Sequence, residues 1–200
     1  MDYYTSDWHV GHRNIIRYSS RPFSSVDEMN EALTQRCNER VKSEDRLIVV
    51  GDCSLNEALV APFLAKLTCK NLILVPGNHD TCHPAHRAHK KAADKKASAD
   101  VVAKRYLDYG FKEVHLNLVI DEFVINHMPY QGKGELDEGY KEWRPTYQEG
   151  KTLVCGHIHN AWKMKTDPGL QINVGCDVWD YYPVSVDRIR AFLKEATNDC

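Results

Sequence analysis

The chain has no CxxC pair, no basic segment followed by an apolar run near its N-terminus, and no apolar stretch near the ~18 residues a membrane span needs. Each absence excludes a class. Seven cysteines stand at positions 37, 53, 69, 82, 155, 176 and 200, an odd, scattered set that reads as reduced thiols and not as a disulfide frame. Without a signal peptide or a spanning segment, the expectation is a soluble, cytoplasmic protein. There is no internal repeat and no low-complexity tract. Charge of one sign is also lacking: 26 basic residues face 28 acidic ones, a formal net charge of −2. That argues against coating extended nucleic acid, which needs a basic face, and leaves a nucleotide or a short oligonucleotide open.

What is present is ordinary in bulk and unusual in detail. With 42% hydrophobic and 27% charged residues, 200 residues suit one globular domain with a sizeable core. Arg46–Val50 (RLIVV) and Leu72–Val75 are short apolar runs bounded by turn signals, the pattern of buried strands. Asn117–Ile125 reads as two strands or a hairpin about Asp121-Glu122, and Thr152–Cys155 and Leu170–Val174 as two further strands. Between them lie helical patterns. Ser25-Val26-Asp27-Glu28 is a capping box, followed by Val26, Met29, Leu33, Cys37 and Val41 at helical spacing. Ser54 can cap a helix through Leu67 that Pro62 kinks or splits, and Asp187 can cap a last helix carrying Ile189, Phe192 and Leu193. Pro84 to about Tyr106 reads as a basic helical insertion over 83–106. The alternation gives the fold class α/β, in which chemistry gathers at the carboxyl ends of strands.

Those strand ends carry the polar residues. Asp7-Trp8-His9 follows the first short strand, Gly51-Asp52 follows RLIVV, and Asn78-His79-Asp80 follows LILVP. Asn126-His127 follows FVI, and Gly156-His157-Ile158-His159 follows TLVC. Each block alone has a plain explanation: a turn, an N-cap, or a hydrogen-bonded core histidine. Five of them, each at a strand end and each offering carboxylate, amide or imidazole, form a joint pattern that a set of surface turns does not explain.

The set D-x-H, G-D, G-N-H-D, H and G-H-x-H, in that order from Asp7 to His159, resembles the calcineurin-like metallophosphoesterase superfamily. Gly11-His12-Arg13-Asn14-Ile15-Ile16 with Arg21-Pro22-Phe23 is similar to a subgroup of small, single-domain bacterial and phage members. The resemblance implies a four-layer αββα sandwich of two mixed sheets flanked by helices. It also implies a dinuclear centre with Asp7, His9, Asp52 and His159 around one divalent ion, Asp52, Asn78, His127 and His157 around the other, and Asp52 as the bridge. His79 would protonate the leaving oxygen, with Asp80 fixing its tautomer.

The chemistry accounts for these residue types. Two divalent ions ~3.5–4 Å apart lower the pKa of bound water and clamp phosphoryl oxygens, so that a metal-bridging hydroxide attacks in line. Counting such a hydroxide, two ions with the carboxylates of Asp7 and Asp52 leave the centre near +1, attractive to a phosphate; an aspartate in place of Asn78 would bring it to about neutral. Mixed imidazole and carboxylate ligands suit manganese, the first choice, or iron, zinc, cobalt or nickel, better than magnesium or calcium.

The expected partner is a small phosphorylated substrate, a phosphate mono- or diester of nucleotide or cyclic-nucleotide type. His12, three residues past His9, Arg21 and Arg144 are candidate substrate contacts; a hydrogen-bonded scaffold role is the other reading for His12, a salt bridge for Arg21 and a polar loop position for Arg144. Residues 87–105 hold seven basic and two acidic side chains, read either as a solvated helix or as a lid for anionic substrates. Trp8, Trp143, Trp162 and Trp179 could stack on a base or fill the core. Two alternatives stand beside the esterase: a nuclease on short or single-stranded nucleic acid, and a protein-binding scaffold with a non-catalytic centre.

Overall fold

Strand Arg46–Val49 explains the architecture in miniature. Its residues are apolar on both sides, and the side chains alternate between two cores. Leu47 and Val49 pack into a cluster under the helices, whereas Ile48 and Val50 point into a second cluster shared with another sheet. Leu72 and Leu74 join the first cluster, Ile73 and Val75 the second. A strand buried on both faces belongs to the middle of a layered α/β fold.

In the computed structural model, which describes residues 1–131 and 140–198, the elements run as follows. Strand β1 is Asp2–Thr5, helix α1 Arg13–Tyr18, α2 Val26–Arg40, β2 Arg46–Val49, α3 Val60–Ala65 and β3 Leu72–Leu74. Helix α4 is Lys95–Tyr109, followed by β4 Glu113–Val114, β5 Leu118–Ile120, β6 Phe123–Ile125 and β7 Thr152–Cys155. Strand β8 is Met164–Lys165, β9 Gln171–Asn173, β10 Val184–Ser185, and helix α5 Val186–Asn198.

Among the described residues ten strands make two five-stranded mixed sheets, ordered β10-β1-β2-β3-β4 and β5-β6-β7-β9-β8. In the first, β1 to β4 are parallel and β10 is antiparallel. In the second, β6, β7 and β9 are parallel, with antiparallel β5 and β8 at the edges. The register lines up Ile125, Val154 and Ile172 across the second sheet, and this row meets Tyr4, Ile48 and Ile73 of the first. The fold is thus the expected α/β arrangement of two mixed sheets flanked by helices. The outer face of the second sheet presents Val124, Leu153 and Cys155, against which Tyr130 and Trp162 pack.

Local chemistry sets the helix boundaries, and three differ from expectation. Ser25 caps α2 as predicted, accepting the Glu28 amide at 3.1 Å. Ser54 does not start the helix itself: its hydroxyl donates to the Val10 carbonyl at 2.7 Å and accepts the Asn56 amide at 3.1 Å, and the next helical turn starts at Asn56, which accepts the Ala58 amide. Pro62 then falls in the first turn of α3, where no amide is needed, so it begins the helix instead of kinking it. The 83–106 insertion is α-helical only in its second half; residues 84–94 are turns around one short 3-10 helix, Arg87–His89, and Asp94 starts α4 by accepting the Ala97 amide. At the last helix the cap is Ser185, which accepts the Arg188 amide, with Asp187 in the first turn.

Six cysteines are free and buried, as the spacing predicts; Cys200 lies outside the described residues. Among the described residues no helix is long and apolar enough to cross a membrane. Truncating Ile48 to alanine should cost about 2–5 kcal/mol, because it opens the seam between the sheets, while Val119→Ala on the exposed edge strand should stay within about 0.5 kcal/mol. Urea denaturation of the two variants checks this.

Candidate metal centre

The two sheets meet at their carboxyl ends. Ser6, just after β1, bridges in parallel to Gly175, just after β9, and the Cys176 amide donates to the Ser6 carbonyl at 3.0 Å. The loops that leave the strands of both sheets therefore empty into one crevice, as doubly wound sheets require.

Within those loops the backbone is strained where the polar residues stand. Asp7, His9, Asp52, His157 and His159 all have positive φ, between 50° and 71°. For residues other than glycine this region costs about 1–3 kcal/mol each and persists only where surrounding contacts force it. Here the contacts are a backbone ladder: the amides of Asp7, His9 and Val10 donate to the carbonyls of Gly51, Asp52 and Cys53 at 3.0, 3.0 and 2.8 Å. Gly51 (φ 85°) and Gly77 let the β2 and β3 loops touch, since a Cβ on Gly51 would meet the Gly77 backbone and the His127 ring.

The strain turns the side chains inward. Ligand atoms of Asp7, His9 and His159 lie within 4.8 Å of one another, and so do those of Asp52, His127 and His157. Asp52 Oδ2 stands between the groups, 3.6 Å from His9 Nε2 and 3.4 Å from His127 Nε2. Asn78 Oδ1 is 2.9 Å from His157 Nδ1, which brings Asn78 to the second group. All seven predicted ligands converge.

The electrostatics fit cation binding. His9 is 1% exposed, and both of its ring nitrogens, like His127 Nε2, are buried with no hydrogen-bond partner. Orphaned polar atoms of this kind are costly unless something else pairs with them, and lone pairs aimed at a carboxylate oxygen are what a divalent ion would satisfy. Burial pushes the His9 pKa well below its usual value, which keeps the ring neutral. Burial also opposes charge on His127, but the Asp52 carboxylate outweighs it and carries the pKa up to about 10. Asp52 in turn is held well below the ordinary carboxylate range; burial alone would raise it, and His127 and His9 pull it down. A cation at this point would compete with the His127 proton.

Neighbouring groups fix the ring orientations. His127 Nδ1 faces the Val50 carbonyl at 2.7 Å, and His159 Nδ1 faces Asp177 Oδ2 at 3.3 Å, so each ring turns its Nε2 to the crevice. The Asp7 carboxylate accepts the His157 amide through both oxygens at 3.1 Å.

Asp177 went unnoticed in the sequence, although Gly175-Cys176-Asp177 after β9 repeats the strand-glycine-polar pattern of Gly51-Asp52 and Gly156-His157. It explains Arg21, whose predicted role as a substrate contact the structure corrects. Arg21 is 4% exposed and spends its guanidinium on Asp177 Oδ1 and Oδ2 (2.8 and 2.9 Å), on the carbonyls of Asp7 and Trp8 (2.6 and 2.9 Å) and on Met29 Sδ (3.4 Å), all five of its N–H groups. No donor is left for a substrate. Arg21 braces the strained D-x-H loop and, through Asp177, His159.

Asp80 is corrected as well. It does not hold the His79 ring; its fully buried carboxylate accepts the amides of Asp52, Gly77 and Cys53 at 2.8, 2.8 and 3.0 Å. It ties the β2 loop to the β3 loop. His79 itself is exposed, with its ring centroid 5.5 Å from that of His9 and its amide donating to Asp52 Oδ1 at 2.9 Å. His12 is close by, 5.7 Å from His9 between ring centroids, with a buried, unpartnered Nδ1. Arg144 donates to the Pro129 carbonyl at 2.7 Å and does not line the adjoining cavity, where Glu142 and Trp143 stand instead, so its predicted substrate role is not supported. That cavity, about 470 Å³, begins at Asn78 and His79 and extends toward the basic segment. Trp8, in contrast, is core, edge-on to Phe63.

Comparison with known proteins agrees with this geometry. Residues 4–181 match the calcineurin-like phosphoesterase superfamily domain. An uncharacterized protein of Methanocaldococcus jannaschii is 31% identical over 201 residues, covering 96% of this chain and 91% of its own. The gene 66 protein of Mycobacterium phage D29 is 28% identical, covering 96% of each. A solved structure of a protein of unknown function from Aquifex aeolicus has a TM-score of 0.65 at 22% identity, covering 96% of this chain and 98% of that one, and shows the same fold. With its two sheets, its two histidine-aspartate groups and a family match over most of its length, the chain belongs to the calcineurin-like phosphoesterase superfamily.

Proposed function

We propose that the protein hydrolyses a phosphate mono- or diester of a small, nucleotide-type molecule, using two divalent transition-metal ions with manganese the first to test. Membership in the superfamily and the two ligand groups support metal-dependent phosphoester hydrolysis. The observation that carries the reading is Asp52 Oδ2, one carboxylate oxygen facing an imidazole of each group. Asp7, His9 and His159 would hold one ion, His127, His157 and Asn78 the other, and Asp52 both. When bound, such a pair acidifies water and neutralises phosphoryl oxygens.

The chain's own residues do the rest. His79 stands exposed where the centre opens into the cavity, anchored through its amide to the shared carboxylate, and in this reading its ring gives a proton to the departing oxygen. Asp80, occupied with backbone amides, does not fix the His79 tautomer. Asp80, Arg21 and Asp177 hold the strained loops in the converging geometry. The scaffold alternative fits less well, since every ligand position carries a competent donor. Trp143 and Tyr140 give the cavity aromatic surface suited to a base or another flat group.

Replacing His79 with alanine should lower turnover of an aryl phosphate by roughly 10²–10⁴-fold and leave metal content intact. Elemental analysis beside the assay separates this from ligand loss; an equal fall in metal would make His79 a ligand. Asp52→Ala should lose both ions, and two retained ions would remove Asp52 from the shared position. Asp177→Asn should keep both ions and slow turnover roughly 10-fold or more, the usual effect of removing an outer partner of a ligating histidine.

A further inference from the structure

The cavity beside His79 is not a neutral pocket. Among the described residues its wall carries Arg87, Lys90 and Lys95 against a single carboxylate, Glu142, which pairs with Lys95 at 2.9 Å. Three cations against one carboxylate leave the wall at +2, next to a centre already built to attract phosphate. Apolar surface from Trp143 and Leu55 lies in the same cavity. Base-sized apolar surface and surplus positive charge together match one chemistry: a flat group bearing a phosphate.

The wall is held in place, unlike a loose solvated face. His89 is buried and faces the Thr81 carbonyl at 2.6 Å through Nε2 and the Ser98 hydroxyl at 2.8 Å through Nδ1. One ring thus ties the turn after Asp80, the turn that bears Arg87, and the first turns of α4, which bear Lys95. His83, also buried, accepts the Ala85 amide and packs edge-on to Trp143 at 5.9 Å between centroids. His86 caps the 87–89 turn by accepting the Ala88 amide. Three histidines thus fix the backbone that bears the basic side chains relative to His79, so that a ligand need not order that backbone on binding.

We infer that Arg87, Lys90 and Lys95 bind a second phosphate, carried by the leaving group, and that the preferred substrates are doubly phosphorylated nucleotide-type molecules. This rests on the phosphoesterase reading and on His79 as proton donor, because His79 marks the leaving-group side of the scissile bond. The scissile phosphoryl group sits at the metal ligands, the base or sugar lies along Trp143, and the second phosphate reaches the basic wall.

The test compares a dithymidine dinucleotide with the same dinucleotide bearing a terminal 3′- or 5′-phosphate, with bis(p-nitrophenyl) phosphate as reference, all with manganese. One phosphorylated form should show a kcat/KM about 100-fold above the plain dinucleotide, since Arg87 and Lys90 each add a charge-assisted contact of about tenfold, Lys95 being already paired with Glu142. Arg87→Ala and Lys90→Ala, both at exposed positions, should each reduce that preference about tenfold through KM, and added salt should erode it. Lys91→Ala, outside the cavity, should preserve it. Turnover of the reference without any preference, or equal losses on both dinucleotides in the variants, would overturn this inference alone. No turnover of the reference with any divalent ion would overturn the phosphoesterase reading and this inference with it.

Discussion

A single carboxylate oxygen with an imidazole on either side is the constraint around which this fold is organised. Asp52 Oδ2 stays between His9 and His127 only because three chain segments from two sheets are fixed to one another at the strand ends. Mutual repulsion among polar groups and strained backbone both work against that arrangement. The intersheet core of Tyr4, Ile48, Ile73, Ile125, Val154 and Ile172 supplies the rigidity. Apolar burial, at roughly 25 cal/mol per Å², is the source of free energy large enough to hold five residues in left-handed conformations at a polar site.

The braces are specific. Asp80 and Arg21 act as mirror images: a buried anion collecting amides, and a buried cation collecting carbonyls. Asp80 joins the β2 and β3 loops through three N–H groups, and Arg21 joins the β1 loop to Asp177 through two carbonyls and a bidentate ion pair. Burial and the nearby Asp52 charge push the Asp80 pKa up, whereas burial of Arg21 is outweighed by Asp177, which keeps the guanidinium charged. Such charges are tolerated inside because every one is met by a partner. Neither residue needs to touch a substrate to be indispensable, and both sit in blocks that would ordinarily be read as active-site signatures.

That distinction explains what could be read from the sequence. Strands such as Arg46–Val49 and Thr152–Cys155 were legible because a both-sided apolar run ending in glycine has few other uses. The ligands were legible for the same reason: Asp7, His9, Asp52, Asn78, His127, His157 and His159 each sit two to four residues past a strand, where topology dictates convergence. Their backbone strain was not legible, since an Asp or His tolerates positive φ better than most residues but adopts it only when the neighbouring loop forces it. Roles set by long-range pairing were also hidden. Arg21 meets Asp177, 156 positions away, and Asp80 finds its partners by folding back on its own turn and onto β2. The helix starts at Asn56, Asp94 and Ser185 were missed because several good caps compete within a few residues, and tertiary contacts choose among them.

The basic segment turns on the same competition between local pattern and long-range contact. Its charge pattern fits a solvated helix, and the latter half is one. The first half departs from helix because His83, His86 and His89 spend their ring nitrogens on turns and on Thr81. A chain that needed only a soluble surface would gain by continuing the helix from residue 84, with fewer broken amide bonds and no buried imidazoles. Folding it into turns instead costs helix hydrogen bonds and buries two histidines, and what it achieves is a cationic wall at a fixed offset from His79. Structure retained against local preference is best explained by what it positions, and here it positions positive charge over the open end of the centre.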